Sequence, residues 1–242
     1  MTFLIASITP VIIFLYLIYR KDTIKEPKAV LAKCFFGGFL SIALALLIDV
    51  PMSAIGDSFS QPLLKSFWDA FLVASAPEEL SKFLILYWLV WKSKDFDQHY
   101  DGITYAVFVS MGFALIENIL YVFQGGLGVA LARSVLSVPG HGFFAVLMGY
   151  YFSLARFAPA EERRKLLVKS LAMPILFHGL YDFALIYVST KNSNVFLVIV
   201  LMIVFTYTVI KLWKLGIKKI KLHVLHDNTT ILSSTSSSTA EV

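Results

Sequence analysis

The sequence predicts an all-α, multi-pass membrane protein: a transmembrane helical bundle of about seven helices in which helices 3 to 6 form a four-helix core. Three observations carry this expectation. Of the 242 residues, 58% are apolar and 15% charged, with a mean hydropathy of +0.75; a typical soluble domain has about a quarter charged and under half apolar residues. Apolar runs long enough to cross about 30 Å of hydrocarbon recur seven times. The polar residues inside those runs concentrate in the third to sixth. The lipid bilayer is therefore the expected solvent. One cysteine, Cys34, excludes an internal disulfide framework and reads as a small packing residue at a helix start. The net charge of +5 is spread over short connections rather than one face, so nucleic acid is not an expected partner.

Taken in order, the runs cover residues 3–19, 34–52, 67–91, 103–123, 134–155, 170–188 and 195–213. Each must be helical, because an open strand would leave its backbone groups unpaired in lipid and none shows the alternation of a barrel strand. The first lacks the basic start and small-residue cleavage site of a secretory signal, and Tyr16, Tyr19 and Arg20 give it an interfacial end. Lys and Arg alternate between connections: five from Arg20 to Lys33, then Lys65 alone, then Lys92 and Lys94, then Arg133 alone. Five more run from Arg156 to Lys169, Lys191 stands alone, and five close the series from Lys211 to Lys221. The positive-inside rule then expects a cell-membrane protein with its N-terminus outside and its C-terminus cytoplasmic. Residues 1–226 read as one bundle, with the core motifs in 67–188, and the Ser/Thr-rich residues 227–242 as a disordered cytoplasmic tail.

Helices 1, 2 and 7 are bland, whereas the four between them carry groups that lipid penalises. Helix 3 contains Pro77-Glu78-Glu79-Leu80-Ser81-Lys82 in mid-run. A charge at the bilayer centre costs roughly 2.5–3.5 kcal/mol even on insertion scales, so such groups face a bundle interior or a wet cavity. Glu78 and Lys82 are i,i+4 and Glu79 and Lys82 are i,i+3, so the lysine can neutralise one carboxylate and leave the other free. Helix 4 adds Phe113, Glu117 and Asn118; helix 5 adds His141, with Ala145 and Gly149 on the same small-residue face; helix 6 adds His178, Tyr181 and Asp182. At 1.5 Å per residue, Glu78, Glu117, His141, His178 and Asp182 lie about 9–17 Å from the outer ends of their helices, in one band of the outer half of the membrane. The Asp95, Asp97, His99 and Asp101 series lacks the glycine and terminal glutamate of a calcium loop. It reads as a solvated connection in which Asp101 caps helix 4.

Glu78-Glu79-x-x-Lys82, Phe113 to Glu117-Asn118, His141 with Gly149, and His178-x-x-Tyr181-Asp182 occur in the order of the four signatures of the PrsW family. The chain resembles that family from about Pro77 to Asp182, and Asp101-Gly102-Ile103-Thr104-Tyr105 also looks like it. The family is related to the type II CAAX prenyl endopeptidases, the Abi proteins and the APH-1 subunit of gamma-secretase. Where the CAAX enzymes carry His four residues after the helix 4 Phe, this chain has Glu117, as PrsW-like members do, which argues against a prenyl-peptide substrate. The resemblance implies an intramembrane endopeptidase that cuts a single-span membrane protein, an anti-sigma factor being the family's example, near its extracytoplasmic side.

Peptide hydrolysis needs an activated water, a polarised carbonyl and a proton for the leaving amine. The expected base is Glu78 or Glu79, helped by His141 or Glu117. By resemblance, His178 with Asn118 or Asp182 stabilises the oxyanion; Lys82, Phe113 and Tyr181 support the site, and no cofactor is favoured. The close variant is a zinc enzyme with Glu78, Glu117, His141 and His178 as ligands, although no H-E-x-x-H is present. Two readings from other classes compete: a proton-coupled transporter, which also threads acids and histidines through a bundle, and a non-catalytic scaffold comparable with APH-1.

Overall fold

The structure, a computed structural model, describes residues 2–190 and 194–239; Lys191 and residues 240–242 lie outside them. Among the described residues, seven helical rods run up and down. They are α1 (Thr2–Lys21), α2 (Lys28–Gly56), α3, α4 (His99–Gly126), α5 (Gly128–Phe157), α6 (Ala160–Val188) and α7 (Val195–Thr239). The third rod, α3, runs without interruption through Pro62–Trp68, a π-helical stretch Asp69–Ser75 and Ala76–Val90. Among the described residues there is no strand, and α2, α4, α5, α6 and Val195–Thr230 of α7 are each long and apolar enough to cross a membrane. Large apolar side chains such as Leu47, Trp88, Val195 and Phe196 are more than two-thirds exposed, as lipid-facing residues should be.

The π stretch has a local cause. Pro77 has no N–H to give the carbonyl one turn back, and its ring crowds that carbonyl. Widening the preceding turn relieves the clash and rotates Glu78 and Glu79 toward the bundle interior. Neighbouring helices fix this turn: the Ser75 hydroxyl donates to the Ile175 carbonyl of α6 at 2.6 Å, and Phe71 lies so close to Gly179 that any side chain there would strike its ring.

The α4–α5 pair is a helical hairpin. Helical hydrogen bonding runs on from His99 to Val135, but Gly126 has φ 71° and ψ −161°, a conformation that breaks the rod and suits glycine. Gly102 packs on Gly149, the Ser110 hydroxyl donates to the His141 carbonyl at 3.0 Å, and Asn118 meets Arg133. Each step is eight residues forward on α4 and eight back on α5, so the rods are antiparallel with their turn at Gly126. A Cβ on Gly149 would fall 2.3 Å from the Gly102 carbonyl oxygen, which is why the backbones can approach only where both rods carry glycine. The 124–133 connection expected from hydropathy therefore shrinks to this one turn, and Arg133 stands on α5 rather than in a loop.

At the opposite end, Asp101 accepts the backbone N–H groups of Asp97 at 3.0 Å and Gln98 at 2.6 Å, the cap anticipated for α4. Cys34 is fully buried in the packing of α2. One expectation fails in part here. The segment from Asp227, expected to be a disordered tail, is helical to Thr239 where it is described. Its tertiary partners explain this: His223 stacks on Tyr150, and Asp227 accepts the backbone N–H groups of His99 at 3.0 Å and Tyr100 at 2.8 Å. Asp227 thus occupies two of the donors that open α4.

Candidate active site

Lys82 is the hub. Its ammonium is fully buried and has three donors, each with one acceptor: Glu79 Oε1 at 2.9 Å, Glu78 Oε2 at 3.2 Å and His141 Nδ1 at 3.3 Å. The Phe113 ring lies beneath it at 4.0 Å, a cation–π contact that helps hold a desolvated ammonium. Lysine thus pairs with both carboxylates, where spacing alone allowed one to stay free.

Two histidines continue the network. Since Nδ1 of His141 accepts from Lys82, its Nε2–H donates to Glu117 Oε2 at 2.8 Å, the tautomer that a neutral ring would have. His178 faces a carboxylate at each nitrogen, Glu79 Oε1 from Nδ1 at 2.9 Å and Asp182 Oδ2 from Nε2 at 3.1 Å. Two such hydrogen bonds require a proton in each contact. Phe144 stacks on the His178 ring, centroids 4.7 Å apart, and fixes its plane.

These groups border one cavity of about 160 Å³ with a mostly polar wall. Glu78 from α3, Glu117 from α4, His141 from α5, and His178, Tyr181 and Asp182 from α6 all line it. Glu79, Lys82 and Phe113 stand behind them. Of the paired glutamates, Glu78 faces the cavity, with its side chain 12% exposed against 1% for Glu79. Among the described residues, the Tyr181 hydroxyl, buried in the wall, finds no protein partner, and neither does the second carboxylate oxygen of Glu79. The cavity lies toward the hairpin-turn end of the bundle, since Tyr121, Arg133 and Ser137 close it.

Asn118 differs from its expected role. Its amide nitrogen donates to the Ser7 carbonyl at 3.1 Å and its oxygen accepts from Arg133 Nε at 3.0 Å, so it braces a cation instead of lining the cavity. Arg133 is the residue that sequence reasoning missed. It pairs with Glu117 at 2.7 Å and lies over the Tyr121 ring at 4.2 Å. Its signal was its isolation: a lone arginine in an apolar stretch, eight residues and so about 12 Å before His141.

Glu78, Glu79, His141 and His178 place one ligand-type atom each within 4.8 Å of one another, and imidazole with carboxylate suits zinc. The Lys82 ammonium stands among them, however, 2.9, 3.2 and 3.3 Å from three of the four residues. Those are hydrogen-bond lengths, against about 2.0–2.2 Å for zinc to nitrogen or oxygen. A positive charge already fills the point on which the donors converge and would repel a divalent ion. The set as arranged does not fit a metal beside charged Lys82.

The model of the family described as "PrsW family intramembrane metalloprotease" matches residues 26–209. Three similar proteins carry the name Protease PrsW. That of Clostridioides difficile (strain 630) is 37% identical over 228 residues, covering 91% of this chain and 90% of that protein. That of Bacillus subtilis (strain 168) is 36% identical over 219 residues, 89% and 93%, and that of Geobacillus kaustophilus (strain HTA426) is 37% identical over 182 residues, 75% and 78%. No solved structure matches the chain.

Proposed function

The chain belongs to the PrsW family of intramembrane proteases, and from that premise we propose that its buried cavity hydrolyses a peptide bond of a single-span membrane protein with a glutamate-activated water and no metal. The observation that carries this reading is the convergence of Glu78, Glu117, His141, His178 and Asp182, from four rods, on one cavity. Family membership also replaces the transporter and scaffold readings weighed on sequence.

Glu78 is the base, being the member of the glutamate pair that faces the cavity. It takes a proton from water as the oxygen bonds to the scissile carbon, then passes that proton to the amine as the carbon–nitrogen bond breaks. Glu79 is a positioning residue: one of its oxygens holds both Lys82 and His178. The negative oxygen of the tetrahedral intermediate takes up the Nε2–H that His178 otherwise shares with Asp182, together with the unpartnered Tyr181 hydroxyl. Glu117, clamped by His141 and Arg133, fixes the far wall.

A cavity of about 160 Å³ is far narrower than a helix of about 10–12 Å diameter, so the site suits a locally extended substrate segment that presents one carbonyl. Membrane-anchored anti-sigma factors are the first substrates to try, in keeping with the family's example. The alternation of Lys and Arg supports an N-terminus outside and a cytoplasmic C-terminus, with the cavity in the outer half of the bilayer. A cysteine placed at Ser58, between α2 and α3, should react with an impermeant thiol reagent on intact cells, and one at Lys94 only after permeabilisation; the reverse pattern overturns this orientation.

The decisive experiment reconstitutes the purified chain in liposomes with single-span substrates, with and without a strong chelator. The cleavage rate should be unchanged by chelation. Loss that zinc restores would overturn the metal-free mechanism and leave the protease assignment standing, whereas no cleavage of any substrate, in either arm, would remove support for the site as drawn.

A further inference from the structure

A second group of metal-ligating side chains lies at the other end of the bundle. His99 opens α4, while His226 and Asp227 sit on α7 past the apolar run 195–213 and the lysines that follow it. One nitrogen of each histidine and one oxygen of Asp227 lie within 4.8 Å of one another. Along α4 the group is eighteen residues from Glu117, about 27 Å at 1.5 Å per residue. It shares no residue with the buried site and does not depend on how that site is read.

The distances distinguish this group from an ordinary polar contact. Nδ1 of each imidazole lies near the same atom, Asp227 Oδ1, which also accepts the His99 backbone N–H: 3.7 Å for His99 and 3.5 Å for His226. Both separations exceed a good hydrogen bond. They are close to the edge of a tetrahedron whose centre is about 2.0–2.1 Å from each corner, an edge of about 3.3 Å. The two rings lie 4.0 Å apart between centroids, close enough for one ion to reach both. Capping of α4 accounts for Asp227 but not for the two histidines beside it. Those backbone donors also orient the carboxylate, as outer-shell hydrogen bonds do in metal sites. The side chain of His226 is 54% exposed and the group opens on a cavity of about 440 Å³, which gives an ion a route in and room for a water as fourth ligand.

We propose that His99, His226 and Asp227 bind one divalent transition-metal ion of the zinc class and that this ion clamps the end of α7 onto the start of α4. Two imidazoles with one carboxylate select zinc over magnesium or calcium, which prefer an all-oxygen shell. The ion ties a helix extension that leaves the bilayer to the same rod that carries Glu117.

The test uses the full chain in detergent, freed of any polyhistidine tag and stripped of metal. Zinc is titrated against a chromophoric chelator, with cobalt(II) absorption as a report of coordination geometry. Wild type should bind one tight equivalent with a tetrahedral cobalt spectrum, and zinc should raise its melting temperature. His226→Ala, which removes an exposed ring, should weaken that equivalent by at least about 100-fold, since even outer-shell changes cost 10- to 100-fold. Its circular dichroism and metal-free melting should match wild type. His178→Ala, at the buried site, should keep the tight equivalent. No tight zinc on wild type, tight binding that survives His226→Ala, or tight binding lost in His178→Ala would each overturn the proposal.

Discussion

Glu78→Gln is expected to lower kcat for cleavage of a reconstituted single-span substrate by about 10²–10⁴-fold, the range a positioned general base supplies. The amide keeps the size and planarity of the carboxylate and can still accept from Lys82, so the fold should survive; unchanged circular dichroism and gel-filtration behaviour would confirm that. What it loses is the capacity to take a proton from water. Glu79→Gln serves as the comparison. Glu79 faces away from the cavity and holds Lys82 at 2.9 Å and His178 at 2.9 Å, so its replacement should lower stability and activity together rather than activity alone. Cleavage at a near wild-type rate by folded Glu78→Gln, with Glu79→Gln folded and silent, would move the base to Glu79. Survival of cleavage in both would remove the glutamate-activated water altogether.

The catalytic face could be read from the sequence because lipid makes ionisable residues conspicuous. Glu78, Glu117, His141, His178 and Asp182 each interrupt an apolar run, and the membrane penalty by itself implies a shared interior. What escaped depends on contacts between helices. Arg133 looked like an interfacial cation because hydropathy starts the fifth run too late, at 134 rather than 128; the sharp turn at Gly126 returns the chain at once and carries Arg133 to Glu117. Asn118 looked equivalent to its neighbour Glu117, yet adjacent residues on a helix point about 100° apart, and it meets α1 and Arg133 instead. The extension of α7 was hidden by composition. Its lysines and Ser/Thr run resemble a solvated tail, and only the partners supplied by Tyr150, His99 and Tyr100 account for its order. The choice between Glu78 and Glu79 is likewise out of reach of spacing, since both lie within about one turn of Lys82; only the folded bundle leaves Glu78 open to the cavity and covers Glu79.

Lys82→Met should be the most destabilising single change in the site, by about 3–5 kcal/mol, the usual cost of removing one partner from a buried ion pair. Methionine matches the length of the lysine chain and should still cover Phe113, so lost packing is a small part of the effect. The cost comes from Glu78 and Glu79, which are adjacent in sequence and share the one buried ammonium. Without it, two carboxylates lose their shared cation in a site walled by helices, and His141 loses the donor to its Nδ1. If charge is the cause, Glu79→Gln added to Lys82→Met should recover part of the loss, since it removes one uncompensated anion, and the pair should be strongly non-additive in a double-mutant cycle. Lys82→Arg should fall between wild type and Lys82→Met: a guanidinium keeps the charge, but its planar fork cannot point three donors from one nitrogen at Glu78, Glu79 and His141. Denaturant unfolding in mixed micelles, followed by circular dichroism, would measure each variant. A Lys82→Met protein within about 1 kcal/mol of wild type, the typical worth of an exposed pair, would mean that Lys82 does not hold the charge of this site.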